Sequence, residues 1–153
     1  MNALPLISLL VGSSWLLTPA APGRPARPAG NAQAVTVVVS ALVSTQATVK
    51  LNFYNSREGF LKRGQEVFQR AVRPEGRTEI SVPIELTQGE WAVALTQDLN
   101  NNDKLDKNFI GIPTEPYAFS NNVRPTVGPP GFDECKFRVG AAQPQVVSIV
   151  LKK

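Results

Sequence analysis

Ile80-Ser81-Val82-Pro83-Ile84-Glu85-Leu86-Thr87-Gln88-Gly89-Glu90-Trp91-Ala92-Val93-Ala94-Leu95 is the stretch that decides the fold. Ile80, Val82, Ile84 and Leu86 alternate with Ser81, Pro83 and Glu85, and Trp91, Val93 and Leu95 resume the period of two after the turn at Gly89. Side chains along a strand point to opposite faces in turn, so each segment has one apolar face for a core and one polar face for water. Pro83 lacks the N–H that an inner strand would donate, which puts the first segment at a sheet edge.

The same period runs outward in both directions. Val49, Leu51 and Phe53 alternate with Thr48, Lys50 and Asn52. Val35 to Val43 and Val146 to Leu151 are apolar on both faces, as expected of central strands. Val67 to Val72 is weakly patterned and fits a strand or a helix, and Ser56 to Phe60 reads as one helical turn with Ser56 as its N-cap. Short strands, turn residues between them and no long helical period define an all-β domain. The expected architecture is a two-sheet antiparallel sandwich, immunoglobulin-like or prealbumin-like, of about seven strands with a long ordered loop.

Composition removes several function classes. The chain has 153 residues, of which 42% are apolar, a size that suits one domain behind a leader. From Val35 onward 14 basic residues face 12 acidic ones. They are scattered, with no continuous stripe to neutralise a phosphate backbone, so no nucleic-acid partner is expected. Histidine is absent. That excludes serine triads, zincins and facial-triad iron sites, which all rely on imidazole. Cys135 is the one cysteine, so no disulfide closes within the chain. In Glu134-Cys135-Lys136-Phe137-Arg138-Val139 it alternates with apolar residues, and it reads as a small buried hydrophobe on a strand.

The N-terminal residues divide the chain into a leader, residues 1–21, a linker, residues 22–34, and the domain, residues 35–153. Ala3 to Leu17 is apolar apart from Ser8 and the Gly12-Ser13-Ser14 break, and small residues follow at Thr18-Pro19-Ala20-Ala21. This run is shorter than the ~20 residues of a spanning helix and is expected to be a secretory signal, with a retained anchor as the alternative. A periplasmic or secreted location follows, with no membrane span in the mature chain. Pro19, Pro22, Pro25 and Pro28, set among Ala, Gly and Arg, make an extended tether.

One loop carries chemistry. Asp98-Leu99-Asn100-Asn101-Asn102-Asp103-Lys104-Leu105-Asp106 places oxygen-bearing side chains at the first, third, fifth and ninth positions of an EF-hand-type calcium loop. Lys104 holds the seventh place, where such a loop offers a backbone carbonyl. Alternate spacing lets a tight loop turn successive oxygens toward one hard cation. The pattern departs at the sixth position, where Asp103 replaces glycine, and at the twelfth, where Phe109 replaces glutamate, so Glu115, Asp133 or Glu134 would have to complete the set. A hairpin loop whose Asn and Asp side chains bond their own backbone fits the same residues. The candidate metal ligands are Asp98, Asn100, Asn102, Lys104, Asp106 and Glu115, with calcium as the ion.

Downstream, Tyr117, Phe119, Asn121 and Asn122 combine rings with amides and are a candidate ligand surface for a cell-envelope glycan or another exported protein, or else the seal of the open sandwich end. Asp98, Asp106 and Glu115 are also carboxylates of the kind a glycoside hydrolase pairs. Lone carboxylates in a loop more often serve as ligands or caps, so a non-enzymatic binding or structural module is the expectation.

Tyr54-Asn55-Ser56, Gly59-Phe60-Leu61, Asp98 to Asn108, Gly111-Ile112-Pro113-Thr114-Glu115-Pro116-Tyr117, Phe119-Ser120-Asn121-Asn122 and Gly128-Pro129-Pro130 together resemble the bacterial exported family called domain of unknown function 2141. The resemblance covers Val35 to Lys153. It implies a secreted or periplasmic β-sandwich and no established activity. Two positions depart from the usual pattern: Gln97, where many members have histidine, and Ala118, where glycine is usual.

Overall fold

A computed structural model of the protein describes residues 31–111, 113–141 and 144–151. The expected leader and most of the linker lie outside the described residues. Eight strands form among the described residues: β1 Ala32–Ser40, β2 Thr48–Tyr54, β3 Phe68–Val72, β4 Ile80–Thr87, β5 Gly89–Asp98, β6 Tyr117–Phe119, β7 Phe137–Val139 and β8 Gln145–Val150. One short helix, α1, spans Phe132–Cys135. β1 begins at Ala32, so the domain takes up the end of the expected linker.

The strands make the two-sheet, all-β sandwich that the alternation predicts. One sheet runs β4-β1-β8 and the other β3-β2-β5-β6, with β7 beside β5. Val37 and Val39 of β1, Leu51 and Phe53 of β2, Val82 and Leu86 of β4, Val93 and Leu95 of β5, and Ile149 of β8 meet between the sheets. Each such side chain contributes roughly 1.5–3 kcal/mol on burial, so the core stands without a disulfide.

Four local expectations change. β8 pairs with β1 in parallel, because the chain reaches it by crossing from the other sheet and no hairpin obliges it to reverse. β8 is also an edge strand, with Val146 and Val150 exposed, whereas β1 is central as expected. Pro83 does sit on an edge strand, since β4 pairs with β1 alone. Ser56 to Phe60 forms a hydrogen-bonded turn in place of a helix; Ser56 Oγ still accepts the Gly59 amide at 3.2 Å. Cys135 ends α1 and does not lie on a strand. It is buried as expected, beside Phe60, Phe132 and Ala92.

This second cluster explains why β5 is buried on both faces. Ala92 and Ala94 are small enough for Phe60 and Phe132 to close over them, and the two rings meet edge to face at 5.8 Å. Between the ends of β6 and β7, Ser120 replaces a strand neighbour. Its Oγ accepts the Val93 amide at 2.8 Å and donates to the Cys135 carbonyl at 2.6 Å. The outer face of the larger sheet is thereby covered at Ala92 and Ala94, while Asn52, Gln69 and Thr96 on the same face are not buried.

Candidate functional site

The loop grows out of the end of β5. Gln97 N–H donates to the Pro116 carbonyl at 2.9 Å and Thr114 N–H to the Asp106 carbonyl at 2.8 Å, so the chain leaves and returns through one neck. Asp98 stands in that neck, 1% exposed. Its Oδ1 accepts the Asn102 amide at 3.1 Å and its Oδ2 the Asp103 amide at 2.8 Å. The first residue of the loop thus binds the fifth and sixth, curling the backbone around its carboxylate.

The turn requires left-handed backbone, and it falls on Asn101 (φ 54°) and Asp103 (φ 63°), residue types that bear that conformation better than most. Asp103 therefore does the work of the expected glycine. Two further turns follow, with Asn100 Oδ1 accepting the Asn102 amide at 3.2 Å and Asn102 Oδ1 accepting the Lys104 amide at 2.9 Å. The side-chain amides of Asn100 and Asn102 converge on the Asp106 carboxylate, at 2.6 Å and 3.0 Å to Oδ2.

Glu115 closes the other side. Phe109, in the twelfth place, is 98% exposed and contributes nothing to the cluster. The buried Glu115 carboxylate accepts the Leu99 amide at 2.9 Å and the Asp106 amide at 3.3 Å, joining the two ends of the loop. Asp98, Asn100, Asn102, Asp106 and Glu115 are brought together as one hydrogen-bonded unit, while Lys104 enters through its backbone. Asp133 and Glu134 lie apart: Asp133 pairs with Arg57 and Lys136, and Glu134 accepts the Gly131 amide.

One participant is absent from the sequence-based list. Lys50, on β2, puts its ammonium 2.8 Å from Asp98 Oδ2 and 2.9 Å from Asp103 Oδ1. Burial pulls the Lys50 pKa down, but hydrogen bonds to the two carboxylates and their charges outweigh it and leave the value raised. Burial likewise pushes the Asp98 carboxyl up, and Lys50 with the Asp103 and Asn102 amides brings it below its usual range. Both groups stay ionised through the neutral range. Lys50 alternates with the apolar residues of β2, so it reads as an ordinary solvent-facing lysine; only the diagonal pairing to β5 reveals its role.

Among the described residues, no group of three or more His, Cys, Asp or Glu side chains is gathered as a metal centre. A cation in this loop would thus draw on carboxamide and carbonyl oxygens beside the carboxylates, the mixed oxygen set that calcium accepts. Asn100 and Asn102 would turn their amide oxygens inward, where they now present N–H groups to Asp106.

The second candidate surface is put to structural use. Phe119 is buried, and Tyr117 packs on its edge with ring centroids 5.8 Å apart. Asn121 Nδ2 donates to the carbonyls of Glu134 and Lys136 at 3.1 and 2.8 Å. Asn122 caps the free edge of β8, donating to the Ser148 carbonyl at 3.1 Å and accepting the Val150 amide at 2.7 Å. A groove of about 240 Å³ remains between Tyr117, Val123 and Val150.

Gln97, flagged as a departure in the sequence, is fully buried on the inner face. Its Oε1 accepts the Val43 and Ser44 amides at 2.9 and 3.2 Å, and its Nε2 donates to the Ser44 and Ala47 carbonyls at 2.6 and 3.3 Å. It fastens the β1–β2 connection and takes no part in the loop chemistry.

A family described as uncharacterised proteins conserved in bacteria, DUF2141, matches residues 37–147. No curated protein and no solved structure matches the chain.

Proposed function

We propose that this chain, which belongs to the bacterial family of uncharacterised proteins DUF2141, is an exported, non-enzymatic binding module in which calcium braces the loop from Asp98 to Asp106. The observation that carries the reading is the buried Asp98 carboxylate holding the amides of the fifth and sixth loop residues, with left-handed backbone at Asp103. That is the curl a calcium loop needs before the ion arrives. Glu115, which accepts the Leu99 and Asp106 amides from across the neck, is the carboxylate near enough to stand in for the one the twelfth position lacks, which supports the reading.

The same features argue against Asp98 as a general acid. A general acid needs a pKa raised toward neutrality, whereas Asp98 is held below its usual range by Lys50 and two amides. Export rests on the apolar run at residues 3–17, and no helix among the described residues is long and apolar enough to cross a membrane.

Thermal melts in chelator and in calcium test the proposal. With a Kd of ~10⁻⁴ M, about 1 mM free calcium adds about 1.4 kcal/mol of stability. Asp106→Ala should abolish the gain without touching the Lys50 pair. An identical melting temperature for the unaltered protein in both buffers would falsify the calcium reading.

A further inference from the structure

The outer face of the larger sheet beside the Asp98–Asp106 loop is not covered by Phe60 and Phe132. It forms a basin of about 570 Å³ floored by β2, β3 and β5, with the 55–66 turn as one wall and the Asp98–Asp106 loop as the other. Asn52, Gln69 and Thr96 make the floor. Gln69 Nε2 donates to Asn52 Oδ1 at 2.8 Å, which commits one donor and one acceptor and leaves Asn52 Nδ2 and Gln69 Oε1 to offer a ligand a donor and an acceptor.

The rim is cationic. Arg63 comes from one wall, and Lys104 and Lys107 from the other. All three are exposed, and among the described residues none is in an ion pair, in contrast to Lys50, which Asp98 and Asp103 hold. Leu61 and Leu105 add small apolar shoulders.

We propose that this basin binds an acidic oligosaccharide, with sugar carboxylates at Arg63, Lys104 and Lys107 and hydroxyls on the Asn52, Gln69 and Thr96 floor. Alternating donors and acceptors suit a polyol, which offers both at every hydroxyl. The one aromatic residue in the lining, Tyr54, is buried among Phe60 and Ala92, so no ring is free to stack on a nucleobase. Glu66 in the wall offers an acceptor to sugar hydroxyls that lie away from the cationic rim. The inference rests on the binding-module reading but not on calcium.

Calorimetry with hexagalacturonate in chelator-containing buffer tests it, so that loss of the calcium reading leaves the result interpretable. Saturable binding is expected, weakened roughly tenfold in Arg63→Ala and in Lys107→Ala, the scale of a lost charged hydrogen bond. Gln69→Ala should weaken it as well. Arg73→Ala, an exposed arginine outside the lining, should leave it unchanged. Maltohexaose and a thymidine hexanucleotide are expected to bind at least tenfold more weakly. No binding of hexagalacturonate overturns the proposal. Equal binding of the nucleotide, or equal loss in Arg73→Ala, overturns it too by reducing the effect to charge alone.

Discussion

Lys50 and Asp98 meet diagonally across the β2–β5 pair: Asp98 lies opposite Thr48, and the Lys50 ammonium reaches back along the sheet to within 2.8 Å of its carboxylate. With 9% and 1% of their surfaces exposed, they form a buried ion pair at the base of the loop. Such a pair matters less for net stability than for what happens when one partner is removed, because the other is then left charged and dry.

Lys50→Met should therefore destabilise the metal-free protein by about 3 kcal/mol in urea unfolding at neutral pH, and adding Asp98→Asn should restore much of the loss. The pH limbs follow from the two shifts. Asp98 titrates lower in the folded state than its ordinary 3.8, so its contribution is complete above that pH and is lost as acidification passes through the lowered value. Lys50 titrates above 10.5, so its contribution holds below that pH and is lost as alkalinity passes through the raised value. In Lys50→Met the acid limb should shift to higher pH, since Asp98 then loses the partner that depresses it.

Gln97→Ala should cost roughly 2–4 kcal/mol, measured by the same unfolding experiment, because four backbone groups of the β1–β2 connection lose their partner. Gln97→His is expected to recover only part of this. A neutral imidazole has one donor and one acceptor, where the carboxamide fills two of each role here. Recovery of full stability by histidine would mean that the connection does not depend on all four bonds.

The sandwich was legible because burial on one face imposes a period of two, and Val82, Leu86, Val93 and Leu95 keep it without interruption. The loop was legible because Asp98, Asn100, Asn102 and Asp106 are spaced for a curled backbone. What escaped the sequence depends on neighbours distant along the chain. Val146 and Val150 look like residues of a central strand, yet β8 has a partner on one side only. Cys135 keeps strand-like alternation with Phe137 and Val139, but Ser120 holds its carbonyl from across the β6–β7 gap, where the chain turns through α1. Lys50 and Asn122 look like surface residues, and each is committed to a partner in another element.

Cys135 should resist alkylation by iodoacetamide at pH 8 for as long as the protein stays folded. Burial, with the Glu134 charge adding to it, pushes its thiol up to about 12, and the thiolate is the reactive form. Labelling should accelerate in urea in step with global unfolding, since the residue sits between Phe60, Phe132 and Ala92. Rapid labelling in native buffer would place the opening of α1 well below the global barrier.

If calcium enters the loop as proposed, it competes with Lys50 for Asp98. The ammonium shares Oδ2 with the Asp103 amide while the Asn102 amide takes Oδ1, and a like charge about 4 Å from a cation costs several kcal/mol at an effective dielectric of about 20. Lys50→Met should accordingly have opposite effects on two measurements: lower stability in chelator and calcium affinity raised at least tenfold. Melting curves of the variant and the parent should then converge as calcium is added, and calorimetry should give the tighter Kd to the variant. Weaker calcium binding in Lys50→Met would instead make the ammonium part of the scaffold that shapes the loop, and would separate the ion pair from any competition with a metal.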